Sequence, residues 1–208
     1  MTAEPRGVLV ALEGIDGTGK TTLQRGLARV WRAAGHRVVT LREPSDRASG
    51  RRARAVSAGD PWTAALAFTE DRRGSRPDVE AALRRGAIVL LDRSFYSTLA
   101  YQGSALPSRR RRTELERMQR EATVAPDVVV LLDLPLTSAL ARLSGRGSSL
   151  EPTEARDVLR RAARTYRQLA RRADWIRLDA RLPATELLRA AERRLSPRLQ
   201  AGRRGPRR

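Results

Sequence analysis

Glu13-Gly14-Ile15-Asp16-Gly17-Thr18-Gly19-Lys20-Thr21-Thr22 is the stretch that decides the fold. It contains G-x-x-x-x-G-K-[ST], a loop whose backbone N–H groups cradle phosphates while its lysine reaches the β- and γ-phosphates. Lys20 is the only lysine among 42 Lys and Arg residues. A lysine ammonium is a compact point charge that threads a tight loop, which a planar guanidinium does not. The flanks supply the context such a loop needs. Val8 to Leu12 is apolar and long enough for a buried parallel strand. After the lysine, Leu23, Leu27, Val30 and Trp31 recur at helical spacing, and Gly35 gives a stop. Strand, glycine loop and helix in this order aim free N–H groups and a helix dipole at one anion. Gly14 to Thr22 is therefore expected to bind ATP, with Lys20 on the transferring phosphate and the Thr21 hydroxyl on Mg²⁺.

Outward from the loop, apolar runs alternate with helical patterns. Strands are expected at Arg37 to Leu41, Ala87 to Leu91, Asp127 to Leu132 and Trp175 to Leu178. Helices are expected at Pro61 to Arg73, Pro77 to Arg85, Arg110 to Thr123, Leu136 to Leu143, Thr153 to Arg172 and Pro183 to Leu195. The alternation implies right-handed crossovers: an α/β P-loop NTPase three-layer sandwich, with a five-stranded, mainly parallel sheet between helices. One domain is expected over residues 1–196, with a short lid near 142–152 and a disordered arginine-rich tail at 197–208.

Composition narrows the chemistry. No cysteine is present, which excludes disulfides, thiolate metal sites and cysteine nucleophiles. The single histidine, His36, reads as a turn residue between helix and strand. No apolar run approaches the roughly 18 residues of a membrane span, so a cytoplasmic protein is expected. The net charge of +19 invites a polyanion, but the arginines are not interleaved with stacking aromatics, and no specific nucleic acid is expected.

Ligands of such sheets collect at the carboxyl ends of strands. Three motifs fall there: Arg42-Glu43-Pro44; Asp92-Arg93-Ser94-Phe95-Tyr96-Ser97-Thr98-Leu99-Ala100-Tyr101-Gln102-Gly103; and Asp133, which ends Ala125-Pro126-Asp127 and the apolar run behind it. Together with the glycine loop they resemble bacterial thymidylate kinases in matching order from about Val8 to Asp179. The resemblance implies γ-phosphoryl transfer from ATP to dTMP, assisted by Mg²⁺, in a homodimer. It implies that Asp92 holds Mg²⁺ with Thr21, and that Arg93 grips the acceptor phosphate beside Arg42. Asp16 would contact the deoxyribose 3′-hydroxyl, and Tyr101 would crowd the 2′ position. Phe68 would stack on thymine, Arg72 would bond a base carbonyl, and Ser97, Thr98 and Gln102 would complete the pocket.

A mobile cation near the leaving oxygen is also expected. The phosphate loop holds no arginine, which leaves Arg142 and Arg146 in the lid stretch, with Arg146 flanked by Gly145 and Gly147. Arg146 is expected to be catalytic and Arg142 to bind ATP. Some positions depart from the family pattern: Ser94 stands where tyrosine is usual, Ser45 replaces a glycine, Thr98 replaces an amide, and Pro44 to Phe68 is short. Glu43–Pro44 reads as a trans turn from sequence alone, although relatives carry it cis. Asp92-Arg93-Ser94 together with Glu43 also resembles deoxynucleoside kinases, and a nucleic-acid-binding P-loop ATPase is a more distant alternative.

Overall fold

The computed structural model describes residues 6–145, 152–172 and 175–202. Five strands, β1 (Val8–Glu13), β2 (Val38–Arg42), β3 (Ile88–Asp92), β4 (Val128–Asp133) and β5 (Ile176–Asp179), form one sheet in the order β2-β3-β1-β4-β5. Every pairing is parallel, with Val8 opposite Ile88 and Val10 opposite Val128 on the two sides of β1. Among the described residues, eight α-helices connect and flank the strands: α1 (Lys20–Ala33), α2 (Ala48–Ala55), α3 (Pro61–Arg84), α4 (Phe95–Tyr101), α5 (Arg109–Ala122), α6 (Leu136–Ser144), α7 (Pro152–Arg172) and α8 (Ala184–Gly202). The chain leaves β1 toward β2 on one side and returns past it to β4 on the other, so the strand order reverses at β1. That reversal opens a crevice at the carboxyl end of β1, where the glycine loop lies.

Burial follows the apolar runs. All six residues of β1 and all five of β3 are buried, as expected of strands covered on both faces. Leu9, Leu12 and Leu27 are within 1% of complete burial, and truncating any of them to Ala would cost about 2–5 kcal/mol. The largest fully buried side chains are Tyr166 and Phe95.

The strands match the sequence expectation with one systematic difference: each begins one residue later on β2 to β5, and all five extend one residue further. The added residues are Glu13, Arg42, Asp92, Asp133 and Asp179, polar groups that read as loop but stay in the ladder because they face the crevice end. Two helices expected on either side of Gly74-Ser75-Arg76 are one continuous α3, with Pro77 inside it. Proline removes an N–H donor from the helix. Next to the interrupted turn, the Arg47 guanidinium donates to the Gly74 carbonyl and pairs with Asp78, bracing the helix from outside. Neither α2 nor α4 was anticipated. Gly50 of α2 packs against Ser45, where a Cβ would lie 2.0 Å from the Ser45 carbonyl oxygen. The last helix passes through Pro197 to Gly202, beyond the boundary drawn at residue 196, and residues 203–208 lie outside the described residues. Among the described residues, no helix is long and apolar enough to cross a membrane.

Candidate active site

β1 delivers the chain into the glycine loop and α1 carries it away, with Lys20 as the first helical residue. Gly14 has φ 141°, and a Cβ there would lie 2.6 Å from the Leu132 carbonyl oxygen, so only glycine fits between β1 and β4. The Lys20 ammonium donates to the carbonyls of Gly14 and Ile15, both at 2.9 Å, and Thr18 Oγ1 donates to Ile15 O at 2.9 Å. Thr21 Oγ1 donates to Asp92 Oδ2 at 2.5 Å, joining the start of α1 to the end of β3. Thr21 and Asp92 thus place hard oxygen donors side by side beside the loop, a donor set suited to Mg²⁺. Among the described residues, no group of three or more carboxylate or imidazole side chains forms a further metal site. Thr22 is exposed on the next position of the helix.

A cleft of 290 Å³ runs from this loop toward β2, lined by Asp16, Gly17, Gly19, Lys20, Thr21, Thr22, Arg42, Glu43, Pro44, Arg54, Asp92 and Arg93. Arg93 follows β3 with φ 70°, a conformation that L residues rarely adopt. Its Nη2 donates to Asp16 Oδ1 at 2.6 Å and its Nη1 to Ser97 Oγ at 3.1 Å, while the guanidinium lies 5.1 Å from the Tyr101 ring centre. Tyr101 donates to Asp16 Oδ2 at 2.9 Å and accepts from the Asp16 N–H at 3.1 Å. Asp16, Arg93 and Tyr101 therefore form one interlocked group. Arg42 is exposed and paired with Asp46. Arg54, a residue that drew no attention in the sequence, donates to the Pro44 carbonyl at 3.0 Å and lines the same cleft. The Glu43–Pro44 peptide bond is cis, not the trans turn read from the sequence alone. An X-Pro bond gives up only about 0.5–1 kcal/mol of trans preference, so the surrounding chain decides.

Arg72 lies beneath the far end of the cleft, 3% exposed. Its Nε donates to Glu43 Oε2 at 2.5 Å, its Nη2 to Thr98 Oγ1 at 2.8 Å and to Ser94 O at 3.4 Å, and its Nη1 to Gln119 Oε1. Gln119 in turn donates to Thr69 Oγ1 at 2.6 Å. A guanidinium has five N–H groups, so these four bonds leave one Nη1–H uncommitted. Phe68, one turn before Arg72 on α3, is half-buried, and Gln102 sits just past α4. Ser97 is turned inward to Glu13 and Tyr166, at 2.7 and 2.8 Å. Asp71 accepts from the Ser45 N–H at 2.7 Å, from Ser45 Oγ at 2.5 Å and from Ser49 Oγ at 2.7 Å. The serine at the family's glycine position thereby anchors the short segment after Pro44 to α3.

On the lid side, Arg142 donates to Gly17 O at 3.3 Å and to Ala180 O at 3.0 Å, joining α6 to the glycine loop and to the turn after β5. Arg146, with most of the expected lid, lies outside the described residues. Asp133 accepts from Arg167 at 3.1 Å and from Arg177 at 2.9 Å, at the edge of the crevice.

These contacts set the charges. Partial burial would raise the Asp16 carboxyl, but Arg93 and then Lys20 outweigh it and hold the group down at about 2. Burial, then the neighbouring Arg93 charge, lower Lys20 to about 8. Burial pushes Glu43 up to about 7 against the pull of Arg72. Burial also raises the Tyr101 hydroxyl, which stays a proton donor to Asp16. Glu13, Gln119, Tyr166 and Arg54 were missed from sequence. Gln119 had left one sign: it stands between Leu115 and Ala122 on the buried stripe of α5, where an apolar residue belongs.

The comparisons with known proteins agree with this geometry. Residues 12–191 match the family model described as thymidylate kinase. A protein of Xanthomonas campestris pv. campestris named thymidylate kinase is 39% identical over 198 residues, 92% of this chain and 85% of that protein. One of Xanthomonas euvesicatoria with the same name is 41% identical over 199 residues, again 92% and 85%. A probable thymidylate kinase of Thermococcus gammatolerans is 33% identical over 185 residues, 83% of this chain and 87% of that protein. A family-model match over residues 12–191 and named relatives about 40% identical over nine-tenths of the chain, with a phosphate loop, a buried arginine and an acid-arginine pair in this order, place the chain in the thymidylate kinase family.

Proposed function

We propose that the chain transfers the γ-phosphoryl group of ATP to dTMP, giving ADP and dTDP, within a single kinase domain that ends with α8. Lys20 and the loop N–H groups bind the donor phosphates, with Arg142 fixing the loop against the turn after β5. Thr21 and Asp92 would hold Mg²⁺, which neutralises phosphate charge when bound. Arg146, in a lid near 142–152, would supply a further cation on closure. The acceptor phosphate lies against Arg93, with Arg42 and Arg54 beside it. Phe68 stacks on the base, the remaining Nη1–H of Arg72 bonds one base carbonyl, and Thr98 and Gln102 complete its edge. Asp16 takes the sugar 3′-hydroxyl and Tyr101 excludes a 2′-hydroxyl. ATP and deoxynucleotides are cytoplasmic, so the enzyme is assigned there.

One observation carries the choice of a monophosphate over a nucleoside. A nucleoside 5′-hydroxyl needs a base within hydrogen-bond reach, whereas a phosphate oxygen is already an anionic nucleophile and needs cations to offset repulsion. Each of the three carboxylates lining the cleft is engaged, Glu43 by Arg72 at 2.5 Å, Asp16 by Arg93 at 2.6 Å and Asp92 by the Thr21 hydroxyl at 2.5 Å, while Lys20, Arg42, Arg54 and Arg93 all line the cleft. An ADP-release assay with ATP and Mg²⁺ tests it: dTMP should turn over readily, dUMP less well and thymidine barely. Arg93→Ala should lower dTMP turnover by roughly 10²-fold or more. Faster turnover of thymidine than of dTMP would overturn this assignment in favour of a nucleoside kinase.

A further inference from the structure

Glu13 has no part in the roles assigned above, yet it is fully buried and heavily bonded. Its Oε1 accepts from the Ser94 N–H at 2.7 Å and from Ser94 Oγ at 2.6 Å. Its Oε2 accepts from Ser97 Oγ at 2.7 Å and from the Tyr166 hydroxyl at 2.8 Å. These donors surround Arg93. The Arg93 N–H is tied to Leu12 O at 3.0 Å, the next N–H is tied to Glu13, and the guanidinium rests on Ser97, itself held by Glu13. A non-glycine residue at φ 70° persists only where its neighbours fix it from both sides, and here Leu12 and Glu13, consecutive residues of β1, do so.

We propose that Glu13 is the positioning residue for Arg93, and that Tyr166 makes α7 part of the same device. Asp16 holds Nη2 from the loop side and Ser97 holds Nη1 from below. The Nε–H and the second Nη1–H are left for an acceptor phosphate. Ser97 has one hydroxyl proton, and the carboxylate of Glu13 is an acceptor only. Donation from Ser97 to Glu13 therefore leaves a Ser97 lone pair aimed at Arg93, and fixes which way the serine faces. Tyr166 stands 2.8 Å from both Ser97 Oγ and Glu13 Oε2, so the helix that follows the lid region bears directly on the serine under the arginine. A neutral glutamine at position 13 would turn an N–H₂ toward these donors and release Ser97.

The inference rests on Arg93 binding the acceptor phosphate, and the experiment separates the two. Steady-state kinetics are measured on full-length Glu13→Gln, Ser97→Ala and Tyr166→Phe, each alone and combined with Arg93→Ala. Displacing a catalytic group by about 1 Å costs on the order of 10²-fold. Glu13→Gln is expected to lower kcat/KM for dTMP by about 10- to 100-fold and Tyr166→Phe by about 3- to 10-fold, each with KM for ATP changed less than about twofold. In the Arg93→Ala background none should add a further loss, because all act through the arginine. Ser97→Thr, which retains the hydroxyl, should restore most of what Ser97→Ala loses. If Glu13→Gln does not fold, Tyr166→Phe and Ser97→Ala, which leave Glu13 its other donors, carry the same cycle. Losses that multiply with Arg93→Ala, or single variants with wild-type kcat/KM for dTMP, would overturn the proposal. Retained dTMP turnover in Arg93→Ala alone would instead remove the role of Arg93 itself.

Discussion

The two halves of the cleft are built in different ways. The half proposed to hold ATP is centred on one unbroken segment, Gly14 to Thr22, and most of that segment's polar contacts come from backbone atoms and one lysine. The half proposed to take dTMP is assembled from side chains just after β2 and on α3, α4 and α5: Glu43, Thr98 and Gln119 converge on the buried guanidinium of Arg72. A backbone cradle tolerates variation around it, because glycines and a helix terminus do the binding. A convergent side-chain network depends on every member, since a buried polar group left unpaired costs more than the bond gained.

That contrast predicts where substitutions hurt most. In the donor half a single residue dominates. Lys20→Ala should lower kcat by on the order of 10²-fold or more, and Lys20→Arg should fail as well, because a planar fork does not fit between the Gly14 and Ile15 carbonyls. The thermal midpoint of both variants should change little. Normal turnover by Lys20→Arg would show that the loop demands only charge.

In the acceptor half the effect should appear in stability as well as kinetics. Gln119→Leu leaves the Nη1–H of Arg72 without its acceptor and takes one donor from the Thr69 hydroxyl, at a cost of about 1–3 kcal/mol. KM for dTMP should rise about tenfold, because a loosened Arg72 no longer presents its free N–H in one place, while KM for ATP stays constant. Denaturant unfolding and initial-rate kinetics on the same preparation check both. Stability loss with unchanged KM for dTMP would separate Gln119 from the base pocket.

The same contrast explains what the sequence could be made to yield. The glycine loop was legible because its chemistry is contiguous and its flanks switch cleanly from strand to helix. The sheet was legible from five apolar runs, down to the polar residue at each strand end, which was read as loop although the ladder continues through it. The acceptor residues were reachable only through resemblance, since nothing local tells Arg72 from the other arginines on α3. Pro77 misled because α3 continues through it, braced from outside by Arg47, which bonds the neighbouring Gly74 carbonyl and pairs with Asp78. Tyr166 was hidden for the opposite reason: it lies on the buried stripe of α7 with Leu159, Ala162 and Ala170, and so reads as core.

The smallest expected effect is in the pH profile, where each half supplies one limb. Glu43 is raised to about 7 by burial, so below that pH it carries a proton and its ion pair with Arg72 is lost. Lys20 is lowered to about 8 by burial and by Arg93, so above that pH the donor phosphates lose their ammonium. kcat/KM, which reports groups of the free enzyme, should therefore follow a narrow bell with its top between about 7 and 8. Stability should run against the acid limb. A carboxyl raised from 4.5 to about 7 on folding contributes stability that is fully present below 4.5 and is lost as pH rises through 7, where activity is increasing. Substrate phosphates also titrate, with a second pKa near 6, so a variant is needed to assign the limb. Glu43→Gln should flatten the limb at about 7 and leave the alkaline limb in place. An unchanged acid limb in that variant would assign it to the substrate phosphates and leave Glu43 ionised, locked to Arg72, across the whole range.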